Sequence, residues 1–439
     1  MKRALILSLI VGLISQISFT QEIDKTKLDR YFDTLEANNK FMGSVAVSKG
    51  GKIIYTKSVG FADVENNIRA TENTKYRIGS ISKTFTSVLI FKGVEAGIID
   101  LDQTIDKYFS EIKNADSITI SHLLYHRSGI HNFTNDEAYL KWNTEAKSEQ
   151  EMIEIITKAG SDFTPDSKAE YSNSNFVLLT YILEKSFEKS YGDLIEEYIA
   201  KPIELTNTYL GDKIDTENNE SKSYRYLGKW NLESETDMSI PLGAGGIVST
   251  PSDLVKFSDA LFEGELLKKK SLKQMKTLNE NFGVGLFQIP FNNKIGYGHT
   301  GGIDGFTSIF SNFSDENISY ALISNGANYN NNDISIAVLS ATFNQPFEIP
   351  EFKTYELTTE DLDKYLGVYS SDEIPLKITV TKDKNTLIAQ ATGQSSFPLE
   401  ATEKDIFKFN QAGVTLEFNP AKNTMILKQA GGKYNFTKD

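Results

Sequence analysis

The chain has 439 residues, of which 39% are hydrophobic, and its formal net charge is -13 at pH 7. This length exceeds that of one typical domain and predicts two units, one large and one small. The acidic balance argues against nucleic-acid binding, because contact with phosphates requires a basic surface. The chain contains no cysteine, which excludes disulfides, thiolate metal sites and a lipid-modified cysteine anchor.

The first 20 residues are typical of an export signal. Lys2 and Arg3 precede an apolar run over residues 4–19, which ends in small and polar side chains. The run is interrupted by Ser and Gln and is shorter than the about 20 apolar residues of a membrane span. We therefore expect cleavage near Thr20 and an exported, periplasmic or extracellular protein without stable membrane insertion. An uncleaved anchor is the alternative.

The next part of the chain predicts a helix, a β-hairpin and a second helix that opens on a serine. The first helix is expected over residues 24–38. Residues 43–49 and 52–58 alternate apolar and polar side chains on either side of a Gly-Gly pair, which is a hairpin pattern. Residues 80–97 place apolar side chains at helical spacing, so Ser80 is expected at or near a helix N-terminus.

Helices dominate the middle of the chain, and strands return before residue 345. We predict helices at 121–126, 148–159, 173–189, 191–200, 252–262, 266–278 and 333–343, and strands at 282–289, 295–301, 306–313 and 318–325. Strands thus lie at both ends of this part of the chain, with helices between them. This order indicates one antiparallel sheet to which both ends contribute strands. The prediction is an α+β domain over residues 21–345, with helices flanking the sheet and a helical part inserted.

A domain boundary is expected at residues 344–353, where two prolines and two acids interrupt regular structure. Beyond it, short strands are predicted at 376–381, 386–391, 397–401, 406–409, 414–418, 424–429 and 434–437. So many short strands in fewer than about 90 residues are typical of a small β-barrel or sandwich. We assign residues 353–439 to this all-β, barrel-like domain.

Ser80 and Lys83 form the first candidate for catalysis. Helical spacing places two side chains three residues apart on one face. A serine needs a base within hydrogen-bonding reach to act as a nucleophile, and a lysine one turn along supplies one. The Ser-x-x-Lys pattern also occurs at 110–113 and 186–189. Only Ser80 has a glycine before it, Gly79, that allows close approach of another group, and a helix opening directly after it.

Two further motifs follow in order. Tyr171-Ser172-Asn173 lies at the mouth of a predicted helix, and His299-Thr300-Gly301-Gly302 lies in a predicted strand. Together with Ser-x-x-Lys, they resemble the three motifs of the penicillin-recognising serine hydrolases. The branch is the one that holds class C β-lactamases, D-alanyl-D-alanine carboxypeptidases, D-aminopeptidases and some esterases. Segments 118–130 and 243–254 are similar to two more segments of that family.

The resemblance covers residues 43–325 and implies the β-lactamase/transpeptidase-like fold. It also implies a role for each motif residue. Ser80 is the nucleophile that becomes the acyl-enzyme, and Lys83 helps to remove or share its proton. Tyr171 is the partner base and later the acid for the leaving group, which requires its phenol, ordinarily near pKa 10, to be stabilised as phenolate by neighbouring cations. Asn173 holds a substrate amide.

The third motif is expected to lie along the substrate, with Thr300 in contact and Gly301 beside it. The backbone N–H groups of Ser80 and Gly302 are expected to form the oxyanion hole. β-Lactamases of the family usually begin this motif with lysine, whereas here it begins with His299. Histidine, ordinarily near pKa 6.5, is mostly neutral in mildly alkaline surroundings. This difference moves the expected substrate away from β-lactams.

The prediction is thus an exported serine hydrolase that acts through an acyl-enzyme at Ser80, without metal or cofactor. Its substrate is expected to be a small molecule or peptide with an amide or ester bond, D-amino acid peptides included. A class C β-lactamase and a non-catalytic penicillin-binding or sensor protein of the same fold are the alternatives. A Ser80–His299 triad is another enzymatic arrangement. A protein whose role lies in its C-terminal domain, in oligomerisation or cell-envelope contact, is a further alternative.

Three histidines deserve a separate interpretation because they lie close together in the sequence. His122 and His126 have the i, i+4 spacing that can bind zinc, and His131 follows. A zinc protease has His-Glu where this chain has His-Leu. We therefore expect packing and loop hydrogen bonds at these positions.

Overall fold

The computed structural model describes residues 23–352, 355–394 and 396–439. The predicted export signal, residues 1–20, lies outside the described residues. Within the described part of the chain, no helix has both the length and the apolar character needed to cross a bilayer.

Ten α-helices lie in the described ranges, and nine of them match predicted helices with ends that differ by a few residues. They are α1 Lys25–Ala37, α2 Ser82–Ala96, α3 Ile120–Leu124, α4 Tyr139–Trp142, α5 Glu149–Ala159, α6 Asn173–Phe187, α7 Tyr191–Ile195, α8 Pro251–Glu263, α9 Lys269–Lys276 and α10 Asn331–Thr342. A 3-10 turn at Gly79–Ile81 leads into α2. A π-helical turn at Glu196–Ala200 extends α7. The helix that the pattern missed is α4, which has only four residues.

The strands before residue 330 build one large sheet and several two- or three-stranded pieces. They are β1 Phe41–Lys49, β2 Lys52–Val59, β3 Phe61–Asp63, β4 Ile68–Arg69, β5 Tyr76–Arg77, β6 Tyr209–Leu210, β7 Tyr224–Tyr226, β8 Trp230–Leu232, β9 Ile247–Ser249, β10 Phe287–Phe291, β11 Lys294–Ile303, β12 Phe306–Phe313 and β13 Ile318–Ala327. The large sheet has the order β10-β11-β12-β13-β1-β2. β1 pairs antiparallel with β13, which confirms the predicted sheet formed by the two ends.

One predicted strand begins in the wrong place. The pattern predicted a strand over 282–289, whereas β10 starts at Phe287. Gly285 has φ +62°, and a Cβ built on it would lie 2.7 Å from the Lys83 carbonyl oxygen. The chain before Phe287 therefore packs closely against α2 and joins the sheet only afterwards.

The large sheet is buried on both faces. Successive side chains of a strand point to opposite faces, so each strand contributes to two clusters. Val45 and Val47 of β1 pack in a cluster with α1 and α10. Ala46 between them faces the larger cluster, to which α2, α6 and α8 contribute. The inserted helices thus lie on one face of the sheet, and the turn that opens α2 contacts β11, next to the edge strand β10.

A closed barrel of eight strands follows the large domain. Its strands are β14 Gly367–Ser370, β15 Lys377–Asp383, β16 Thr386–Ala391, β17 Phe397–Glu403, β18 Ile406–Phe409, β19 Val414–Asn419, β20 Thr424–Gln429 and β21 Gly432–Lys438. The seven predicted strands are present. The missed strand, β14, is short and closes the barrel by pairing with both β15 and β21. The barrel, rather than the sandwich, is therefore the correct alternative.

Polar contacts hold the barrel against the end of the large sheet. Glu400 of β17 accepts hydrogen bonds from Asn328 Nδ2 at 2.6 Å and Asn410 Nδ2 at 3.2 Å. It also forms an ion pair with Lys40, whose side chain is only 4% exposed. The Gln411 side-chain amide donates to the carbonyl of Ala327, the last residue of β13. The barrel therefore has a defined position beside the large domain.

Candidate active site

The predicted nucleophile lies in the turn that opens α2. Ser80 is the central residue of the 3-10 turn and lines a cleft of about 270 Å³. Gly79, directly before it, has φ +52°, and a Cβ built there would lie 2.7 Å from the Gly302 nitrogen. Only glycine combines this backbone conformation with such close approach of β11. The close approach expected at Gly79 is thus present in the structure.

Lys83 Nζ is buried one helical turn after the serine. It lies 3.1 Å from Ser80 Oγ, and it donates to Asn173 Oδ1 at 2.7 Å and to the Ala244 carbonyl at 2.6 Å. Burial lowers the pKa of Lys83 well below its ordinary value of 10.5, because the ammonium form loses its hydration. The amide and carbonyl oxygens can only accept, so they use two N–H groups of the amine. The neutral amine then has its lone pair for the remaining direction, towards Ser80.

Tyr171 contacts the same two residues. Its hydroxyl is hydrogen-bonded to the Ser80 side chain, and its ring centroid lies 4.9 Å from Lys83 Nζ. Burial raises the pKa of Tyr171 above its ordinary value of 10, although the bond to Ser80 acts in the opposite direction. The neutral phenol is therefore the favoured form. The phenolate stabilised by cations that was expected from the sequence is disfavoured, because burial acts against it and also lowers the pKa of the neighbouring Lys83.

Asn173, the first residue of α6, is held by three hydrogen bonds. Its backbone N–H donates to Asn132 Oδ1 at 3.0 Å, and its Nδ2 donates to Thr134 Oγ1 at 3.0 Å. Its Oδ1 accepts from Lys83. Asn132 and Thr134 were not predicted from the sequence, and their position directly after the family-like segment 118–130 was the available signal.

The third motif lies on β11 and borders the cleft. Thr300 and Gly302 are exposed, and Gly302 lines the cleft together with Ser80. A Cβ built on Gly301 would lie 2.0 Å from the Ile78 carbonyl oxygen, so this part of β11 packs directly on the backbone that leads to Ser80. The structure thus brings the three motifs together around one serine.

His299 differs from the rest of its motif, because its side chain lies behind the cleft wall. It is 2% exposed, and its ring centroid lies 4.6 Å from that of Phe287. Burial lowers the pKa of His299 to about 3, and the nearby Lys83 acts in the same direction. The imidazole is therefore neutral over the whole physiological range. The assignment of His299 to substrate binding, as part of the third motif, stays a prediction.

His126 is a buried neighbour of the second motif that the sequence argument did not place there. Its Nδ1 accepts a hydrogen bond from the Ser172 backbone N–H at 3.1 Å, and its ring centroid lies 4.6 Å from that of Tyr171. Burial lowers the pKa of His126 well below its ordinary value of 6.5, with Lys83 contributing in the same direction. The neutral imidazole thus supports the segment that carries Tyr171.

The other two histidines of the predicted cluster point elsewhere. His122 caps α3 in a reciprocal arrangement with Thr119, and His131 Nδ1 lies 2.9 Å from the Asp162 carboxylate. Each of the three histidines therefore has a separate set of protein partners.

A buried ion-pair network underlies the cleft. Arg77, at the end of β5, lies 3.0 Å from the Asp304 carboxylate and 2.6 Å from that of Glu235. The side chains of Arg77 and Asp304 are each 2% exposed. Asp304 also accepts from the Thr236 N–H at 3.0 Å and from its hydroxyl at 2.6 Å. The network joins the strand before Ser80 to the loop after β11.

The cleft has an aromatic side and a charged side. Phe133 and Tyr139 line the first. On the second, Arg225 Nε lies 2.7 Å from the Glu233 carboxylate, and both residues line the cleft. The arrangement places Ser80, the buried amine of Lys83 and one exposed ion pair around the same cleft.

The beta-lactamase family model matches residues 28–342, most of the chain and all three motifs. The chain belongs to the beta-lactamase family. The predicted membership of the penicillin-recognising serine hydrolases, and with it the assignment as a hydrolase, is confirmed.

Two relatives were identified by sequence. Penicillin-binding protein 4* of Bacillus subtilis (strain 168) is 26% identical over 92% of this chain and 97% of its own length. Teichoic acid D-alanine hydrolase of Staphylococcus aureus (strain MRSA252) is 27% identical over 62% of this chain and 68% of its own length. The first of these similarities reaches into the barrel, because 92% coverage leaves fewer residues uncovered than the barrel contains.

Solved structures with the same architecture include D-amino acid amidase from Ochrobactrum anthropi SV3, complexed with L-phenylalanine amide. It is 27% identical, with a TM-score of 0.64, and the match covers 72% of this chain and 99% of that one. An octameric penicillin-binding protein homologue from Pyrococcus abyssi has a TM-score of 0.66 over 94% of this chain and 100% of its own, at 23% identity. The fold predicted from the motifs is thus confirmed.

Proposed function

We propose that this protein is an exported hydrolase that removes D-aminoacyl groups from ester or amide linkages through an acyl-enzyme at Ser80. The observation that carries the proposal is the position of Lys83 Nζ. It lies 3.1 Å from Ser80 Oγ while two acceptors engage its other directions. Export is proposed on the signal-like character of residues 1–20.

Acylation begins when Ser80 Oγ attacks the acyl carbon and its proton moves to the neutral amine of Lys83. The acyl oxygen becomes negative and is stabilised by the N–H groups of Ser80 and Gly302. The bond to the leaving oxygen or nitrogen then breaks. The leaving atom takes a proton from the Tyr171 phenol, which recovers one from Lys83.

Deacylation repeats these steps with water. Lys83, again neutral, accepts a proton from the water molecule as the water oxygen attacks the acyl carbon. The bond to Ser80 Oγ breaks, and Lys83 gives the proton that it took from water to the serine oxygen. The products are a carboxylic acid and the free enzyme, and neither step requires a redox partner.

The charged side of the cleft supports a substrate with an α-ammonium group. Glu233 uses Oε1 for Arg225, so its second oxygen is available to a substrate cation. Asp304 adds negative charge beneath it, although Arg77 neutralises this carboxylate in part. An aminoacyl ester or amide carries the cation that such a wall attracts. The names of two similar proteins, teichoic acid D-alanine hydrolase and D-amino acid amidase, point to the D configuration.

β-Lactams fit this site less well. The lysine that usually opens the third motif of family β-lactamases is replaced by His299, which is buried and neutral. A β-lactam carboxylate would therefore lack the permanent cation that it normally meets at this position.

The test combines covalent labelling with turnover. Intact-mass analysis after a fluorophosphonate is expected to show one adduct on the wild type and none on Ser80→Ala. Ser110→Ala, from another Ser-x-x-Lys match, is the matched control and should label normally. D-Alanine methyl ester and D-alaninamide should be hydrolysed faster than their L enantiomers.

Three other results would contradict the proposal. A folded wild type that accepts no label has no activated serine. Labelling by penicillin without turnover of any ester or amide would support the non-catalytic alternative. Rapid turnover of penicillins with slow turnover of D-alanyl esters would support the class C β-lactamase.

A further inference from the structure

A groove of about 390 Å³ continues from the cleft towards the barrel. Arg225, Glu233 and Asp304 line both the cleft and this groove. Its far side consists of barrel residues, among them Phe397, Pro398, Phe409 and Gln411. A substrate that extends out of the cleft past Arg225 therefore meets the barrel.

The barrel wall of the groove has a fixed position. Gln411 donates through Nε2 to the Ala327 carbonyl, which anchors the end of β18 and its turn to the end of β13. Glu400, on β17, binds Asn328 at 2.6 Å and pairs with the buried Lys40. These contacts place Phe397 and Phe409, on the same two strands, in a constant relation to the cleft.

The groove combines the faces of aromatic rings with hydrogen-bond donors and hydrogen-bond acceptors. Phe397 and Phe409 stack with centroids 4.7 Å apart and planes at 20°, and both are partly exposed. Arg225 pairs with Glu233 through Nε, and its two Nη groups have no protein acceptor in the described ranges of the chain. Gln411 uses Nε2 for the protein, so its Oε1 is left to accept.

Such a lining suits a polyhydroxylated chain. The C–H faces of a polyol or sugar can pack on the phenylalanine rings, while its hydroxyl groups donate to Gln411 Oε1 and its oxygens accept from Arg225. A purely apolar chain would leave Arg225 and Gln411 without partners on desolvation, which is unfavourable.

We infer that the barrel forms a subsite for the leaving group of the substrate, and that this leaving group is a polyol or sugar chain. The inference rests on the proposed function, in which the D-aminoacyl group occupies the cleft at Ser80, whereas the groove lies beyond Arg225. Whatever occupies the groove in a productive complex therefore belongs to the other side of the scissile bond.

The experiment compares a short and two extended esters on the full chain. The probes are D-alanine methyl ester, a D-alanyl ester of a glycerol phosphate tetramer and a D-alanyl ester of maltose. In Phe409→Ala, kcat/KM is expected to fall about tenfold for an extended ester and to stay within about twofold for the methyl ester. Phe409→Leu keeps the apolar contact with the barrel core but lacks the ring face, and should show the same pattern.

Tyr434→Ala is the matched control, because Tyr434 is also a partly buried aromatic on the barrel but does not line the groove. It should change none of the three rates. If Phe409→Ala lowers kcat/KM for the glycerol phosphate ester alone, the leaving group is a polyol phosphate. If it lowers kcat/KM for the maltose ester alone, the leaving group is a sugar. Both results support the subsite.

A binding measurement separates this inference from the proposed function. Calorimetric titration of Ser80→Ala with the unacylated glycerol phosphate tetramer and with maltose requires no turnover. Binding of either compound that weakens in Ser80→Ala/Phe409→Ala supports the subsite even if D-alanine methyl ester is not hydrolysed. Absence of binding by both, or equal effects of Phe409→Ala on the short and extended esters, would overturn the inference. If Phe409→Ala instead lowered kcat/KM for a pentapeptide that ends in D-alanyl-D-alanine, the groove would bind peptides.

Discussion

Lys83 Nζ lies 2.7 Å from Asn173 Oδ1, although the two residues are 90 positions apart in the chain. The bond joins the start of α2 to the start of α6 and so links the first motif to the second. Asn173 is itself fixed by Asn132 and Thr134. The amine is therefore oriented towards Ser80 before a substrate arrives, which reduces the reorganisation needed during acylation.

Replacement of Lys83 by methionine should slow acylation of Ser80 by about 100- to 10,000-fold, because the proposed general base is removed. In the wild type, the acylation rate should rise with pH and level off above the pKa of Lys83, which burial holds well below 10.5. Fluorophosphonate labelling rates from pH 5 to 10 measure both effects. Lys113→Met, from another Ser-x-x-Lys match, is the control, and a full rate in Lys83→Met would show that another group is the base.

Replacement of Tyr171 by phenylalanine should affect poor leaving groups most. Burial favours the neutral phenol, which can donate a proton to a departing amine. An amine leaves about 100- to 10,000-fold more slowly without such a donor, whereas a nitrophenolate leaves without protonation. Hydrolysis of D-alaninamide should therefore fall far more than that of D-alanine nitrophenyl ester. Equal losses on both substrates would instead indicate that Tyr171 acts as a base on Ser80.

Replacement of Gly79 by alanine should cost activity as well as stability. The backbone at φ +52° costs an alanine about 1–2 kcal/mol, and the Cβ would displace Gly302, which is 2.7 Å from it. Because Gly302 is an expected oxyanion donor, kcat should fall by about 100- to 1000-fold.

Gly97→Ala is the matched control for this prediction. Gly97 has φ +73° at the end of α2, and a Cβ there would meet no atom within 4 Å. The variant should lose about 1–2 kcal/mol of unfolding free energy from its backbone conformation alone and show normal turnover of D-alanine methyl ester. If Gly79→Ala were also fully active, the packing of β11 against the nucleophile turn would have no catalytic role.

The motif residues could be predicted from the sequence because their chemistry is local. Ser80 and Lys83 are one turn apart, and glycine before a helix start is visible in a single segment. Arg77 was missed because nothing near it in the chain is its partner: Asp304 lies 227 positions away. The protonation of Tyr171 was also beyond a sequence argument, since it depends on how completely the fold excludes water from the phenol.

Removal of Arg77 should strongly destabilise the large domain. Arg77→Met leaves the buried Asp304 carboxylate without its cation, which typically costs about 3–5 kcal/mol. Both tryptophans of the chain, Trp142 and Trp230, lie in the large domain. Urea unfolding followed by tryptophan fluorescence therefore monitors residues of this domain.

Lys201→Ala removes one partner of an exposed ion pair, with side chains 72% and 58% exposed, and is the control for Arg77→Met. It should leave the unfolding midpoint unchanged. Asp304→Asn should be less damaging than Arg77→Met, because Arg77 keeps the carboxylate of Glu235 at 2.6 Å. An unfolding midpoint for Arg77→Met equal to that of the wild type would show that the network does not stabilise the fold.

Acid should destabilise the large domain through two buried histidines. The pKa of His299 is about 3 in the folded protein, and that of His126 is also well below 6.5, chiefly because of burial. Below pH 6.5 the unfolded chain binds a proton at each site that the folded protein does not. Each histidine therefore removes about 1.4 kcal/mol of unfolding free energy per pH unit as the pH falls from 6.5 to 5.

His299→Gln should reduce this pH dependence of the unfolding free energy by the contribution of one proton. Urea unfolding monitored by fluorescence at pH 7, 6 and 5 measures the change. In His131→Gln the slope between pH 7 and 6 should become steeper, because burial lowers the pKa of His131 but Asp162 and Asp136 together outweigh burial and raise it. An unchanged slope in His299→Gln would mean that its ring is protonated in the folded state.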